Sequence, residues 1–197
     1  MVLDKSPENI LDKDLMYIKK EFEHNIPNVV LCSEPFHKME FLNRLIDSYE
    51  GQVIFVDMDL LYSGYIESGM IQSKDNVEMF HPEKENWEEE VSKIITKTSE
   101  EKLLVIIDSF NGVYNLFDDL NSAKFINSCI MLLSSVGRET DSSIIITAMA
   151  RKKDDKEWIL SPSGKQIIKS DTTKVHFLKK DGADLLFLPI KDRKTRS

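Results

Sequence analysis

The sequence is poor in the residues that make cross-links, metal sites and membrane spans. It has two cysteines in 197 residues, Cys32 and Cys129. Both fall in apolar segments, which favours two buried free thiols over a disulfide. The four histidines, His24, His37, His81 and His176, are scattered, and no Cys or His pair has metal-ligand spacing, so no metal is expected. No apolar stretch approaches the roughly 18–20 residues that cross a bilayer, and the charged N-terminus does not read as a signal peptide. The expectation is a cytoplasmic protein with no membrane contact. An excess of positive charge is missing too: 26 Lys and Arg stand against 34 Asp and Glu, a formal net charge of −8. This argues against strong nucleic-acid binding by the isolated chain, because such binding works by neutralising phosphates.

What is present is an ordinary globular composition, 41% hydrophobic and 30% charged, long enough for one core. Ile10, Leu15, Ile18 and Phe22 recur at helical spacing behind Ser6-Pro7, predicting an amphipathic helix over 7–24 that Pro27 stops. A strand follows over 28–33, then a helix over 36–49 with Met39, Leu42, Leu45, Ile46 and Tyr49 on one side. Further strands are expected over 52–57, 76–80, 103–109 and 143–149. Helices are expected around Trp87–Thr98, with Trp87 as a core anchor, and over 121–138. Loops are expected around Asn111-Gly112 and over the charged stretch 151–158, where Trp158 is a candidate contact residue. Segments 174–179 and 184–190 alternate across Asp181-Gly182, a hairpin signal. Apolar strands alternating with helices imply an α/β fold: a mostly parallel sheet with helices on both faces and a C-terminal antiparallel hairpin. The chain divides into a helix at 1–27 packed on the core, a core domain at 28–190 and a basic tail at 191–197.

Two segments carry the chemical interest. Leu103-Leu104-Val105-Ile106-Ile107-Asp108-Ser109 is an apolar strand closed by an acid and a hydroxyl. Upstream, Ser33-Glu34-Pro35-Phe36-His37-Lys38-Met39 occupies the place of a phosphate-cradling loop but has no glycine. Such a loop needs glycines to turn its N–H groups inward around phosphate. Between the two segments, Phe55-Val56-Asp57-Met58-Asp59 ends another buried strand.

In this order, over 28–190, the segments resemble the core of the RecA/RadA recombinase superfamily, which includes the KaiC-like ATPases. The stretch from Gly164 to Gly182, with Lys165 and Lys169, is the most specific match, to the family's basic hairpin. The resemblance implies a three-layer RecA-like fold. It casts Asp108 as the magnesium-side acid, with Ser109 beside it, and Asp59 at the place of a water-activating glutamate. Lys38 is either a residual phosphate lysine or, the preferred reading, an exposed helix lysine. Asp59 and Asp108 are either vestigial catalytic acids or, again preferred, carboxylates that cap the turns after their strands.

The departures fall at four places of one site. Pro35 removes an N–H donor, and Glu34 puts negative charge near the phosphates. Met39 replaces the metal-ligating hydroxyl, and Met149 stands at the sensor position. Asp59 is also one methylene shorter than glutamate, a retraction of about 1.5 Å. The expectation is therefore a RecA-like pseudo-ATPase, a protein-interaction or regulatory subunit with no catalytic residue, no cofactor and no metal. It would work as a homo-oligomer or beside a RecA-like paralogue, for example as an accessory recombinase paralogue in DNA repair or recombination. The rival readings are an ATPase that binds ATP and magnesium through Lys38, Asp59 and Asp108, or a weak single-stranded DNA-binding module. The latter would use Lys165, Lys169, Lys191, Arg193, Lys194 and Arg196.

Overall fold

A computed structural model describes residues 27–117, 120–153, 157–161, 173–182 and 184–190. The helix expected over 7–24 lies outside the described residues, as do Lys165, Lys169, Lys191, Arg193, Lys194 and Arg196.

The elements alternate along the chain: β1 (Asn28–Cys32), α1 (Pro35–Asp47), β2 (Val53–Asp57), α2 (Leu61–Glu67), β3 (Val77–Phe80), α3 (Trp87–Glu100), β4 (Leu104–Asp108), α4 (Phe110–Leu116), α5 (Leu120–Glu139), β5 (Ser143–Lys153), β6 (Glu157–Leu160), β7 (Lys174–Asp181) and β8 (Asp184–Pro189). The sheet order is β3-β2-β4-β5-β1-β7-β8, with β6 paired to β5. Pairs from β3 to β7 along that path are parallel, and β7–β8 and β5–β6 are antiparallel. The expected hairpin is the β7–β8 edge, turned at Gly182 with φ +61°, a conformation glycine adopts without a Cβ clash.

β1, β2 and β4 are buried along their whole length, because helices cover both faces of the sheet. Alternate side chains therefore serve two different cores. Val29, Leu31, Val56, Val105 and Ile146 face α3, α4 and α5, where Trp87, Ile94, Ile126 and Leu133 pack. Val30, Cys32, Phe55, Ile106 and Ile145 face α1 and α2, where Phe41, Leu42, Ile46 and Tyr62 pack. Phe55 stacks on Tyr62 with ring centroids 4.3 Å apart. Three glutamates in the first turn of α3 and Lys97 in its last suit the helix dipole.

The structure differs from the sequence expectations in two places. Asn111-Gly112 lies within α4 rather than in a loop, because Ser109 caps that helix by accepting from the Gly112 N–H at 3.4 Å. Phe110, Val113 and Tyr114 then bury one face of it. The charged stretch after Met149 is also more ordered than expected. Arg151, Lys152 and Lys153 pair with Ile159, Trp158 and Glu157 in an antiparallel ribbon that continues β5.

Candidate functional site

The parallel strands bring the C-terminal ends of β1, β2 and β4 side by side, and Asp57 stands directly opposite Asp108 in the register. α1 starts two residues after β1. Glu34 precedes it in extended backbone, and Pro35 fills the first helical turn, where a missing N–H costs nothing. The Lys38 N–H donates to the Glu34 carbonyl at 3.2 Å and closes that turn. The Lys38 side chain then reaches across the strand ends.

Lys38 is 1% exposed, which corrects the expectation of an exposed helix lysine. Its Nζ lies 2.7 Å from Asp108 Oδ1 and 3.4 Å from Asp59 Oδ2. The Ser109 hydroxyl donates to Asp59 Oδ2 at 2.6 Å, and the Thr147 hydroxyl donates to Asp108 Oδ1. Four segments distant in sequence thus converge on one ammonium. The capping reading of the two acids is corrected as well. The side chain that caps α4 is Ser109, and α2 follows Leu60 with no side-chain cap. An ammonium taken out of water needs charged partners, and the acids supply them.

Burial pulls the Lys38 ammonium down, but the charge and hydrogen bond of Asp108, with Asp59 behind it, outweigh that and hold it above the usual lysine value. Burial pushes the Asp108 carboxyl up, against the pull of Lys38. Cys32, at the end of β1, is buried and its thiol is pushed up to about 12 by that burial.

Two buried carboxylate oxygens, Asp57 Oδ1 and Asp108 Oδ2, have no hydrogen-bond partner among the described residues. The other Asp57 oxygen accepts from the Ser63 N–H at 2.8 Å and from its hydroxyl at 2.7 Å. Met39 is 2% exposed and belongs to the α1 core. Among the described residues no group of three or more His, Cys, Asp or Glu side chains could hold a metal ion.

Sequence reasoning missed two residues here. The resemblance places Thr147 in the Thr147-Ala148-Met149 sensor segment but casts Met149 in the sensing position; the role of Thr147 follows from β5 lying beside β4. Asn111, three positions after Asp108, joins the site to the β5–β6 ribbon. Its side-chain amide donates to the Met149 carbonyl at 3.1 Å and the Ser161 carbonyl at 2.8 Å, and its oxygen accepts from the Met149 N–H at 2.8 Å. Gly112 packs so closely on the β2–α2 loop that a Cβ there would sit 2.5 Å from Met58 Cβ and 2.7 Å from Asp59 Oδ1.

A separate small concavity between α3 and α5, with room of ≈ 30 Å³, is lined mostly by apolar side chains, among them Trp87, Ile94, Ile126 and Leu133, and by Cys129. The Cys129 thiol on its wall is pushed up by burial. No described helix is long and apolar enough to cross a membrane.

No family model matches the chain, and no curated protein matches it. Solved structures do. One, described as an ATPase domain, is 12% identical, with a TM-score of 0.51 over 90% of this chain and 84% of its own. A DnaB-like replicative helicase, described with its interactions with primase, is 11% identical, with a TM-score of 0.52 over 91% of this chain and 58% of its own. At such identities the likeness is one of architecture. With the strand order and the terminal hairpin, it assigns the chain the RecA-like α/β fold of helicase ATPase domains.

Proposed function

We propose that this chain is a RecA-like domain that has given up nucleotide hydrolysis and acts as a protein-interaction subunit, together with copies of itself or with a RecA-like paralogue. A role beside a recombinase in DNA repair or recombination is one such setting. The observation that carries the reading is the occupied state of Lys38. A phosphate-binding lysine must offer its ammonium to a ligand, whereas here it is enclosed and already neutralised by Asp108 and Asp59. A polyphosphate would have to displace two carboxylates and enter beside Glu34, across a loop with no glycine and a proline at its first helical position. The residues present are a poor fit to magnesium and ATP, and no catalytic step is assigned to them.

The test is a thermal-midpoint measurement with millimolar Mg-ATP. No shift in a well-folded protein is the expected result. A stabilisation that disappears in Lys38→Ala overturns the reading in favour of an ATPase with an unconventional loop, because a ligand that binds only the native state raises its midpoint.

One observation favours a second reading as a weak single-stranded DNA-binding module. Arg151, Lys152 and Lys153 are exposed along one strand of the β5–β6 ribbon. Binding of a labelled oligonucleotide that weakens with salt, and is lost in Arg151→Ala/Lys153→Ala, would support it. No binding at low salt would end it.

A further inference from the structure

The recess between α3 and α5 holds a donor with nothing to donate to. Trp87, the first residue of α3, is 5% exposed, and its indole stands edge-on against Phe117 with ring centroids 5.5 Å apart. Trp87 lines the recess, and its buried Nε1–H makes no hydrogen bond among the described residues. A buried tryptophan N–H ordinarily finds an acceptor. Its neighbour on the α5 wall is Cys129: burial pushes that thiol up, and the Trp87 N–H draws it back. Sulfur is only a weak acceptor, however. The recess has room of ≈ 30 Å³, far below the roughly 300 Å³ at which small-molecule sites begin. That is space for the tip of one side chain and not for a cofactor.

The recess continues into a shallow groove. Cys129, Leu132 and Val136 share one face of α5 at helical spacing; Leu132 is 53% exposed, and the other two are half-buried. That face adjoins α3, because Cys129 lies beside Trp87 and Glu88. Val91 and Ile95, one turn apart on α3, are half-buried as well. The mouth is acidic. Residues 83–93 carry five acids against Lys84 and Lys93, a net of −3. Lys93 is already engaged by Glu89 and Glu90 at 2.8 and 2.9 Å. Glu83, Glu85 and Glu88 are exposed and form no ion pair among the described residues. On α5 no charge stands between Lys124 and Arg138, and Arg138 lies in the last turn, the end where Thr140 meets the Thr98 carbonyl.

We propose that the α3–α5 groove docks a protein partner through a short segment carrying an aliphatic side chain flanked by lysine or arginine. The aliphatic tip enters the recess, a backbone carbonyl of the segment accepts from the Trp87 Nε1–H, and the basic flank answers Glu85 and Glu88. An apolar centre with a polar rim of complementary charge is the ordinary anatomy of such a contact. This rests on the interaction-subunit reading and gives that subunit a binding surface away from the strand ends.

The probe is the peptide acetyl-Lys-Leu-Leu-Lys-amide, with acetyl-Lys-Ser-Ser-Lys-amide and acetyl-Glu-Leu-Leu-Glu-amide as controls. Binding to the isotope-labelled full chain is followed by the indole N–H resonances of Trp87 and Trp158, the former assigned with Trp87→Phe. The lysine–leucine peptide should shift the Trp87 resonance with a Kd of about 1 mM or tighter. It should also slow alkylation of Cys129 by iodoacetamide, and both controls should do neither. Glu85→Lys/Glu88→Lys, at two exposed positions, should weaken that peptide by about fivefold or more and favour the glutamate–leucine peptide instead. An unmoved Trp87 resonance at about 10 mM peptide overturns the proposal. So does an equal response to the serine control, or a preference for the basic peptide that survives charge reversal. If the Trp87 resonance moves on dilution of the chain alone from about 1 mM to about 0.05 mM, the occupant is another copy and the proposal fails. The Mg-ATP measurement reports on the strand ends. A stabilisation there would sink the pseudo-ATPase reading and leave the groove standing, and a silent groove would leave that reading untouched.

Discussion

Lys38 Nζ sits 2.7 Å from Asp108 Oδ1, with the two side chains 1% and 0% exposed. A pair so enclosed gains little over a well-packed apolar pair, but breaking it strands a charge. Lys38→Met and Asp108→Leu should therefore each destabilise the fold by about 3–5 kcal/mol, and the double variant Lys38→Met/Asp108→Leu should lie closer to the parent than either. Urea unfolding of the four proteins gives the coupling. Additive losses would mean that the two side chains do not act as a pair.

The pH dependence has a definite sign. A lysine held above its ordinary value of 10.5 contributes stability that is fully present below that value and is lost as pH rises through the raised one. On the alkaline side the deficit of Lys38→Met should therefore hold up to pH 10.5 and narrow only above it, whereas on the acid side it should narrow as the stranded Asp108 carboxyl, already pushed up by burial, takes a proton. Urea midpoints measured across the alkaline limb check this, and a deficit that narrows before pH 10.5 contradicts it.

Cys32 should be inert in the native state. With its thiol pushed from 9.0 up to about 12, almost no thiolate exists at mildly alkaline pH, and the thiolate is the reactive species. Cys129 is only half buried. Alkylation with iodoacetamide followed by peptide mass mapping should label Cys129 first and Cys32 only on unfolding.

Gly112 is fixed by contact rather than by backbone conformation. Gly112→Ala drives a methyl group into Met58 and Asp59, at the distances given above, and should cost about 1–3 kcal/mol. The clash also pushes on the acid that holds Lys38. A thermal midpoint equal to that of the parent would show that the β2–α2 loop yields freely.

Asn111→Ala removes three hydrogen bonds from the base of the β5–β6 ribbon. Hydrogen exchange should speed up at Met149, whose N–H loses its acceptor, at a cost of about 1–3 kcal/mol for that N–H and the Ser161 carbonyl left unpaired. Protection unchanged at the Met149 amide would show that the ribbon is held by strand pairing alone.

Much of the fold was legible because buried parallel strands and amphipathic helices leave distinct periods in a sequence. β1, β2 and β4 read as short apolar runs, and α3 reads from Trp87, Ile94 and Thr98. α4 was hidden because its signal is a cap, and Ser109 could be recognised as one only with Gly112 folded back upon it. The β5–β6 ribbon was hidden because Arg151, Lys152 and Lys153 look like a solvated loop until Ile159 and Trp158 are placed opposite them. At the site the acids were legible one by one, as strand-terminal carboxylates. Their convergence on Lys38 depends on α1 leaning over the strand ends, and nothing local encodes that. The same limit explains the error over Lys38, since a lysine in the first turns of a helix is usually solvated.

The two cores on either side of the sheet have one more consequence. Val30 and Leu31 are neighbours in the chain, are both fully buried and face opposite layers. With oil on both faces, the apolar pattern hardly penalises a strand that slips by one residue, whereas a sheet with one wet face resists slippage strongly. Polar side chains have to supply the penalty. A one-residue slip of β4 would carry Asp108 to the opposite layer, away from Lys38 and Thr147, and bury its charge against hydrocarbon. The cluster at the strand ends therefore acts as a key that admits one alignment of the sheet. The double variant Lys38→Met/Asp108→Leu, though stable, should give doubled amide resonances in β4 and β5, and a single set of peaks would dismiss the idea.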